Sequence, residues 1–250
     1  MGAGGRMGRR ILHLLAAEPA VEITGACEAP GNPEIGADAG TLAGSGEIGV
    51  LLTGNIDEAS ENADVIIDFT TPPVTLKTAA YASQNGKSLV IGTTGFSPEQ
   101  AERLNSCIRN IACVMAPNMS VGVNVMFEIT ERLAGVLGDD YDIEIIEAHH
   151  KKKVDSPSGT ALGLGRAAAE GAGRNFDEVA KFERHGVIGE RSGPEIGIQT
   201  VRGGDIVGEH TVMFIGEGER IELTHRATSR DNFARGVVRA VKWIHGKPPG

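Results

Sequence analysis

Residues 2–17 read GAGGRMGRRILHLLAA, and the fold turns on this stretch. Glycines stand at Gly2, Gly4, Gly5 and Gly8. A loop without Cβ atoms lets backbone N–H groups approach a pyrophosphate at the start of a helix. The helix follows at once, because Ile11, Leu12, Leu14 and Leu15 recur at helical spacing. VEITGAC (21–27) then reads as a strand, and Glu28 stands 20 residues past Gly8. An acid there can accept hydrogen bonds from the hydroxyls of an adenosine ribose. The spacing is not the strict G-x-G-x-x-G, so the helix and the acid carry the reading. In a doubly wound sheet such a loop follows a strand, and here it opens the chain. The expectation is therefore a sheet lacking its central first strand, with the edges of its neighbours exposed.

Outward from this start, the pattern repeats. ADVIIDF (63–69), SLVIGTTG (88–95) and IACVMAP (111–117) are short apolar runs, and a polar helix begins at about Ser97. Short strands alternating with helices mean βαβ units and a parallel sheet. Beyond residue 119 the grammar changes. Val125, Met126, Ile129, Leu133, Val136 and Leu137 predict one amphipathic helix, and YDIEIIEA (141–148) alternates as a strand does. EIGIQTVR, DIVGEHTVMFI and ERIELTHRA then follow as successive strands, which predicts a mixed sheet in a second, α+β domain. A last helix starts at about Arg230. The expected division is 1–119 plus 230–250 for the first domain and 120–229 for the second.

With 33 acidic against 24 basic residues the chain carries a formal charge of -9, which argues against nucleic acid as its partner. No apolar run approaches the ~20 residues of a membrane span, and a cytoplasmic location is expected. Cys27, Cys107 and Cys113 form no CxxC pair and read as free thiols.

Against this acidic background, EAHHKKKVDSPSGTA (147–161) gathers two histidines and three lysines. Ser156 or Ser158 can cap a helix beginning near Thr160. The N–H groups of Gly159 and Thr160, with Lys153, then make an anion site fit for a dicarboxylate. His149 and His150 end a strand, where a histidine can hand over a proton. Lys151 and Lys152 are read as solvated basic loop. No cluster has metal-ligand spacing, so no metal is expected. GTTG (92–95) and APNMS (116–120) also end strands of the first domain, where ligands of open α/β sheets lie.

Taken together, GAGGRMG, IDFTTP, VIGTTGF, APNMSVGVN, DIEIIEAHHKKKVDSPSGTA, TVRGGDIVGEHTV and THRATSRDNFARG closely resemble the family of 4-hydroxy-tetrahydrodipicolinate reductases, the dihydrodipicolinate reductases of the diaminopimelate and lysine pathway. These stretches are spread over nearly the whole chain, in the family's order. The resemblance implies an N-terminal Rossmann dinucleotide-binding domain and a C-terminal substrate domain whose sheet builds a homotetramer. It implies that His149 donates the proton and Lys153 completes catalysis. It places the substrate dicarboxylate on His150, Lys153, Gly159 and Thr160. The cofactor, NADH or NADPH, would lie along Gly2, Ala3, Gly4, Gly5, Arg6 and Met7, with Glu28 at the ribose. Gly92, Thr93 and Thr94, and Ala116, Pro117, Asn118 and Met119, would complete its lining. Some relatives carry arginine where this chain has Ala29 and Thr71, and arginine is what accepts the 2′-phosphate of NADPH. NADH is therefore expected to serve at least as well, with Arg6 as partial compensation. Relatives also continue beyond the GKPPG at which this chain stops. The rival readings are an aspartate-type dehydrogenase and a non-catalytic dinucleotide sensor, neither of which needs the His-His-Lys cluster.

Overall fold

The computed structural model describes residues 1–249. The chain divides into two compact units, one joining Met1–Met119 to the C-terminal segment from Phe233, the other spanning Ser120–Asn232.

The first unit alternates helix and strand: α1 (Arg6–Ala16), β1 (Ala26–Cys27), α2 (Ala39–Ala43), β2 (Leu52–Thr53), α3 (Ile56–Ser60), β3 (Val65–Asp68), α4 (Pro72–Gln84), β4 (Ser88–Ile91), α5 (Pro98–Ile108) and β5 (Cys113–Met115). β3, β4 and β5 pair in parallel in that order, and β1 pairs in parallel with β2. Leu89, Val90 and Ile91 of central β4 are fully buried, as expected of a strand covered on both faces. The helices start where local chemistry stops the strands. Thr71 precedes α4, whose first residue is Pro72, and Ser97 with Gln100 closes a capping box on α5.

One sequence expectation is corrected here. Only Ala26 and Cys27 of the predicted strand 21–27 are paired. Residues 21–25 instead line a cavity of about 110 Å³, together with Ile11, Leu15, Val65 and Ile67. An extended segment bordered by a cavity has nothing on that side to complete a ladder. The cavity lies between the two-stranded and three-stranded sheets. Met1 and Ala3 bridge it at one end, where the Met1 amino group donates to Ile67 O and Ala3 N–H to Cys27 O.

The second unit holds α6 (Val121–Leu137), β6 (Asp142–His149), α7 (Gly159–Gly171), α8 (Phe176–Val179), β7 (Ala180–Lys181), β8 (Ile196–Arg202), β9 (Gly208–Gly216) and β10 (Glu219–Ala227). The chain closes with α9 (Asp231–Ile244), whose Ala234, Val237, Val241 and Ile244 join Ile11, Leu15 and Val90 in the core of the first unit. The strands of the second unit form a mixed sheet in the order β10-β9-β6-β8-β7, with β6 parallel to β8 and antiparallel to β9. α6 and α7 cover one face, and their crossing is close. A Cβ at Gly171 would lie 1.9 Å from the carbonyl oxygen of Glu131, so only glycine fits there.

The core stripe of α6 differs from expectation. Val123, Met126, Thr130 and Ala134 are buried, whereas Val125, Ile129 and Val136 are exposed. The helix is apolar on more than one side, so periodicity alone does not select the side that packs.

Candidate active site

The site grows out of the register of three strands. In β6, alternate residues Ile143, Ile145, Glu147 and His149 point to the helix-covered face. Ile143 pairs with Ile196 and Phe214, and Ile145 with Ile198 and Val212, giving two wholly apolar rows. The next row is Thr200–Glu147–His210, and beyond it Arg202 stands beside His149. The core thus passes from hydrocarbon to charge within two residues of one strand.

Glu147 is fully buried, and donors surround it. Arg202 reaches both carboxylate oxygens, at 2.7 and 2.8 Å. Ser158 N–H donates to Oε1 at 2.9 Å, and the Thr200 hydroxyl at 3.3 Å. His149 Nδ1 lies 2.6 Å from Oε2. Burial pushes this carboxyl up, but the bonds from Arg202, His149 and Ser158 outweigh it and bring it down to about 2. His149 is also held below its ordinary value: burial lowers it, the bond to Glu147 raises it, and Lys153 and Arg202 lower it further. His210 sits edge-on to His149, 5.1 Å between ring centres, and hydrogen-bonds the Ser158 hydroxyl at 3.0 Å. Burial and the neighbouring His149 push His210 down to about 4.

The loop from His150 to Ser158 is tied at Asp155 and at Ser158. Arg202 donates to Asp155 O at 2.8 Å, and Ser158 caps α7 by accepting from Ala161 N–H at 3.1 Å. Gly159 and Thr160 form the first turn of this 13-residue helix. Lys153 is half-buried, and its ammonium donates to both oxygens of Asp155 at 2.8 Å. That bond lowers the Asp155 carboxyl. Lys151 and Lys152 are exposed. One end of the sheet therefore brings together His149, His150, Lys153 and the N-terminus of α7.

In the first unit, the glycine loop opens α1. A Cβ at Gly8 would lie 2.1 Å from Gly2 O, and Gly2 has φ of +75°, so these two glycines are sterically required. Gly5 precedes the helix, and Gly5 and Arg6 are exposed. This is the cradle a pyrophosphate needs. Glu28 holds the loop by accepting from Gly4 N–H at 3.0 Å and from its own neighbour Ala29 N–H at 2.9 Å. Glu34, to which the sequence reading assigned nothing, faces the same glycine. It binds Arg9 through both oxygens at 2.6 Å, and Arg9 also donates to Gly4 O.

The remaining cofactor candidates differ in what they expose. Ala3 and Met119 are buried and Met7 packs on the core, leaving only their backbones to face a ligand. The Thr93 hydroxyl is engaged with buried Asp68, which also binds Thr70 and Thr75 and so fastens the turns after β3 and β4. Gly92 leaves room for the Phe69 ring, 2.1 Å from where a Cβ would be. Thr94 and Pro117 are exposed, and Ala116 and Asn118 half-exposed.

A Rossmann-like unit joined to a mixed-sheet unit that carries a carboxylate-held histidine has the build of a two-domain oxidoreductase. Residues 1–119 match the family description "Dihydrodipicolinate reductase, N-terminus", and residues 122–250 match "Dihydrodipicolinate reductase, C-terminus". The chain belongs to the dihydrodipicolinate reductase family. The 4-hydroxy-tetrahydrodipicolinate reductase of Trichlorobacter lovleyi is 55% identical over 249 residues, covering 100% of this chain and 93% of that one. That of Geobacter sulfurreducens is 54% identical with the same coverage. A solved dipicolinate-bound dihydrodipicolinate reductase from Paenisporosarcina sp. TG-14 superposes with a TM-score of 0.74 at 25% identity, over 98% of this chain and 92% of that one. Aspartate dehydrogenase of Thermotoga maritima shares the fold alone, with a TM-score of 0.50 and 12% identity over 97% and 94% of the two chains.

Proposed function

We propose that this protein reduces 4-hydroxy-tetrahydrodipicolinate to tetrahydrodipicolinate with a reduced nicotinamide dinucleotide, in diaminopimelate and lysine biosynthesis. The observation that carries this reading is His149, bonded to a buried carboxylate at the sheet end where Lys153 and the start of α7 stand. The names of the relatives agree with it. The nicotinamide, when bound, supplies the hydride. Reduction leaves an electron-rich enamine, whose carbon takes a proton from His149. Lys153, His150 and the first-turn N–H groups of Gly159 and Thr160 hold the two carboxylates, and their charge opposes the repulsion of an acidic protein. Gly2 to Met7 and the turns 92–94 and 116–119 hold the dinucleotide, largely by backbone.

NADH serves at least as well as NADPH in this reading. Glu28 and Glu34 both face Gly4, and a carboxylate pair repels a 2′-phosphate. Arg9, which donates to Gly4 O of that loop, is engaged by Glu34. The assembly is a homotetramer built through the sheet of the second unit, whose uncovered face exposes Ile146 and Val201. A cytoplasmic location fits the three free cysteines, and no helix among the described residues is long and apolar enough to cross a membrane.

The test is absorbance at the reduced-nicotinamide band, with substrate generated in place by the preceding synthase. Oxidation that depends on substrate supports the reductase. A folded protein that binds NADH but oxidises none of it supports a dinucleotide sensor instead.

A further inference from the structure

We propose that Glu147 is a positioning residue: it fixes the His149 ring with hydrogen on Nδ1, so that Nε2 is the atom that releases and regains the transferable proton. This deepens the proposed function and rests on it for the role of His149.

The argument is one of donors and acceptors. Around Glu147, Arg202 supplies two N–H donors, Ser158 a backbone N–H and Thr200 a hydroxyl, all 2.7 to 3.3 Å away. A carboxylate amid so many donors is ionised, and an ionised carboxylate only accepts. The 2.6 Å contact with His149 therefore requires a hydrogen on Nδ1. A neutral ring can then carry none on Nε2, and the charged ring carries its second there. Arg202 balances the carboxylate and spans Oε1 and Oε2, which stops Glu147 from turning away from the histidine. The opposite tautomer would set a bare Nδ1 lone pair against a buried anion.

The transfer step follows. The Nε2–H bond of the imidazolium breaks, its electron pair stays on nitrogen, and the enamine π electrons form the new C–H bond. The ring left behind is the neutral Nδ1–H tautomer that Glu147 already favours, and solvent returns the proton to Nε2. The charged and titratable groups facing His149 are Glu147 of its own strand, Lys153 of the following loop, Arg202 of β8 and His210 of β9. Glu147 is the one anion among these four groups, so its removal makes the proton harder to hold.

The experiment combines ¹⁵N-histidine NMR of the wild-type protein with the Glu147→Gln variant. Wild type is expected to show hydrogen on Nδ1 and a bare Nε2 when His149 is neutral. Glu147→Gln is expected to lower kcat roughly 10²-fold, to leave KM within a fewfold, and to move the His149 limb of the kcat–pH profile to lower pH. A wild-type ring protonated on Nε2, or a folded variant with an unshifted profile, overturns the proposal. Should the variant not fold, the wild-type tautomer still decides. Absence of reductase activity in wild type would defeat the proposed function while the NMR result continued to judge Glu147.

Discussion

Gly208 lies against the ring of His149. A Cβ at Gly208 would come within 3.0 Å of Nε2 and 3.4 Å of Cδ2. Gly208 opens β9 and is buried, so the strand cannot swing aside to make room. Gly208→Ala must therefore displace the imidazole by a few tenths of an ångström and loosen its bond to Glu147. We expect kcat to fall about tenfold with little change in KM, since misplaced reacting groups lose rate before affinity. His149→Gln should go further and abolish most turnover. Steady-state kinetics on both variants check this, and an unchanged kcat in Gly208→Ala would show that the ring has room to spare.

Acid should destabilise the fold in a defined window. His210 is held at about 4 against an ordinary value of 6.5, so below 6.5 the unfolded chain takes the proton more readily. Its contribution is whole above pH 6.5 and is lost as the pH falls towards 4, by roughly 3 kcal/mol at the outside. His149, also lowered, adds in the same direction. Glu147 begins to lose its contribution only below its ordinary 4.5, as the pH falls towards 2. Tm measured from pH 7 to pH 4.5 should drop steeply in wild type and less in His210→Gln. A flat wild-type curve would contradict the burial of neutral His210.

Cofactor choice should respond to Glu34. Glu34→Gln leaves Arg9 without its carboxylate partner and removes one charge from beside Gly4. The ratio of kcat/KM for NADPH to that for NADH should rise by about tenfold, equivalent to ~1.4 kcal/mol of phosphate recognition. If the ratio does not move, Arg9 lies out of reach of the ribose.

In the proposed function, Lys153 exchanges Asp155 for a substrate carboxylate. The Asp155 side chain is 55% exposed, and such pairs are worth about 0–1 kcal/mol. Asp155→Asn should therefore lower KM, but by no more than about fivefold. A rise in KM would mean that Asp155 orients the ammonium rather than competing for it.

How far the fold and site were legible depends on the range of the physics involved. Local signals served well: the helix start near Ser97, Ser158 as one of two candidate caps, the glycines of the opening loop and the alternation of β6 all rest on neighbours in sequence. Residues 21–25 alternate as strand residues do, yet pairing needs a neighbour that periodicity cannot supply. Val125, Ile129 and Val136 satisfy helical spacing on a side of α6 that stays partly exposed. The partners of His149 were missed for a different reason. Arg202 is 55 residues from Glu147, and only strand register brings them together. One signal was available: Glu147 occupies the inward phase of Ile143 and Ile145, where a lone carboxylate is costly and implies a partner.

The tethering of residues 150–158 carries a consequence for affinity. A nine-residue segment that opens on His150 and three lysines in succession would, if free, spread apart and sample many shapes. Holding each residue in a single conformation costs about 1–2 kcal/mol. Arg202, Glu147 and the cap at Ser158 impose that order during folding. A dianion arriving at this segment meets cations already gathered, so little of its attraction is consumed in restricting the chain. Weakening the tether should then raise the entropic cost of binding while the enthalpy of the charged contacts stays nearly constant.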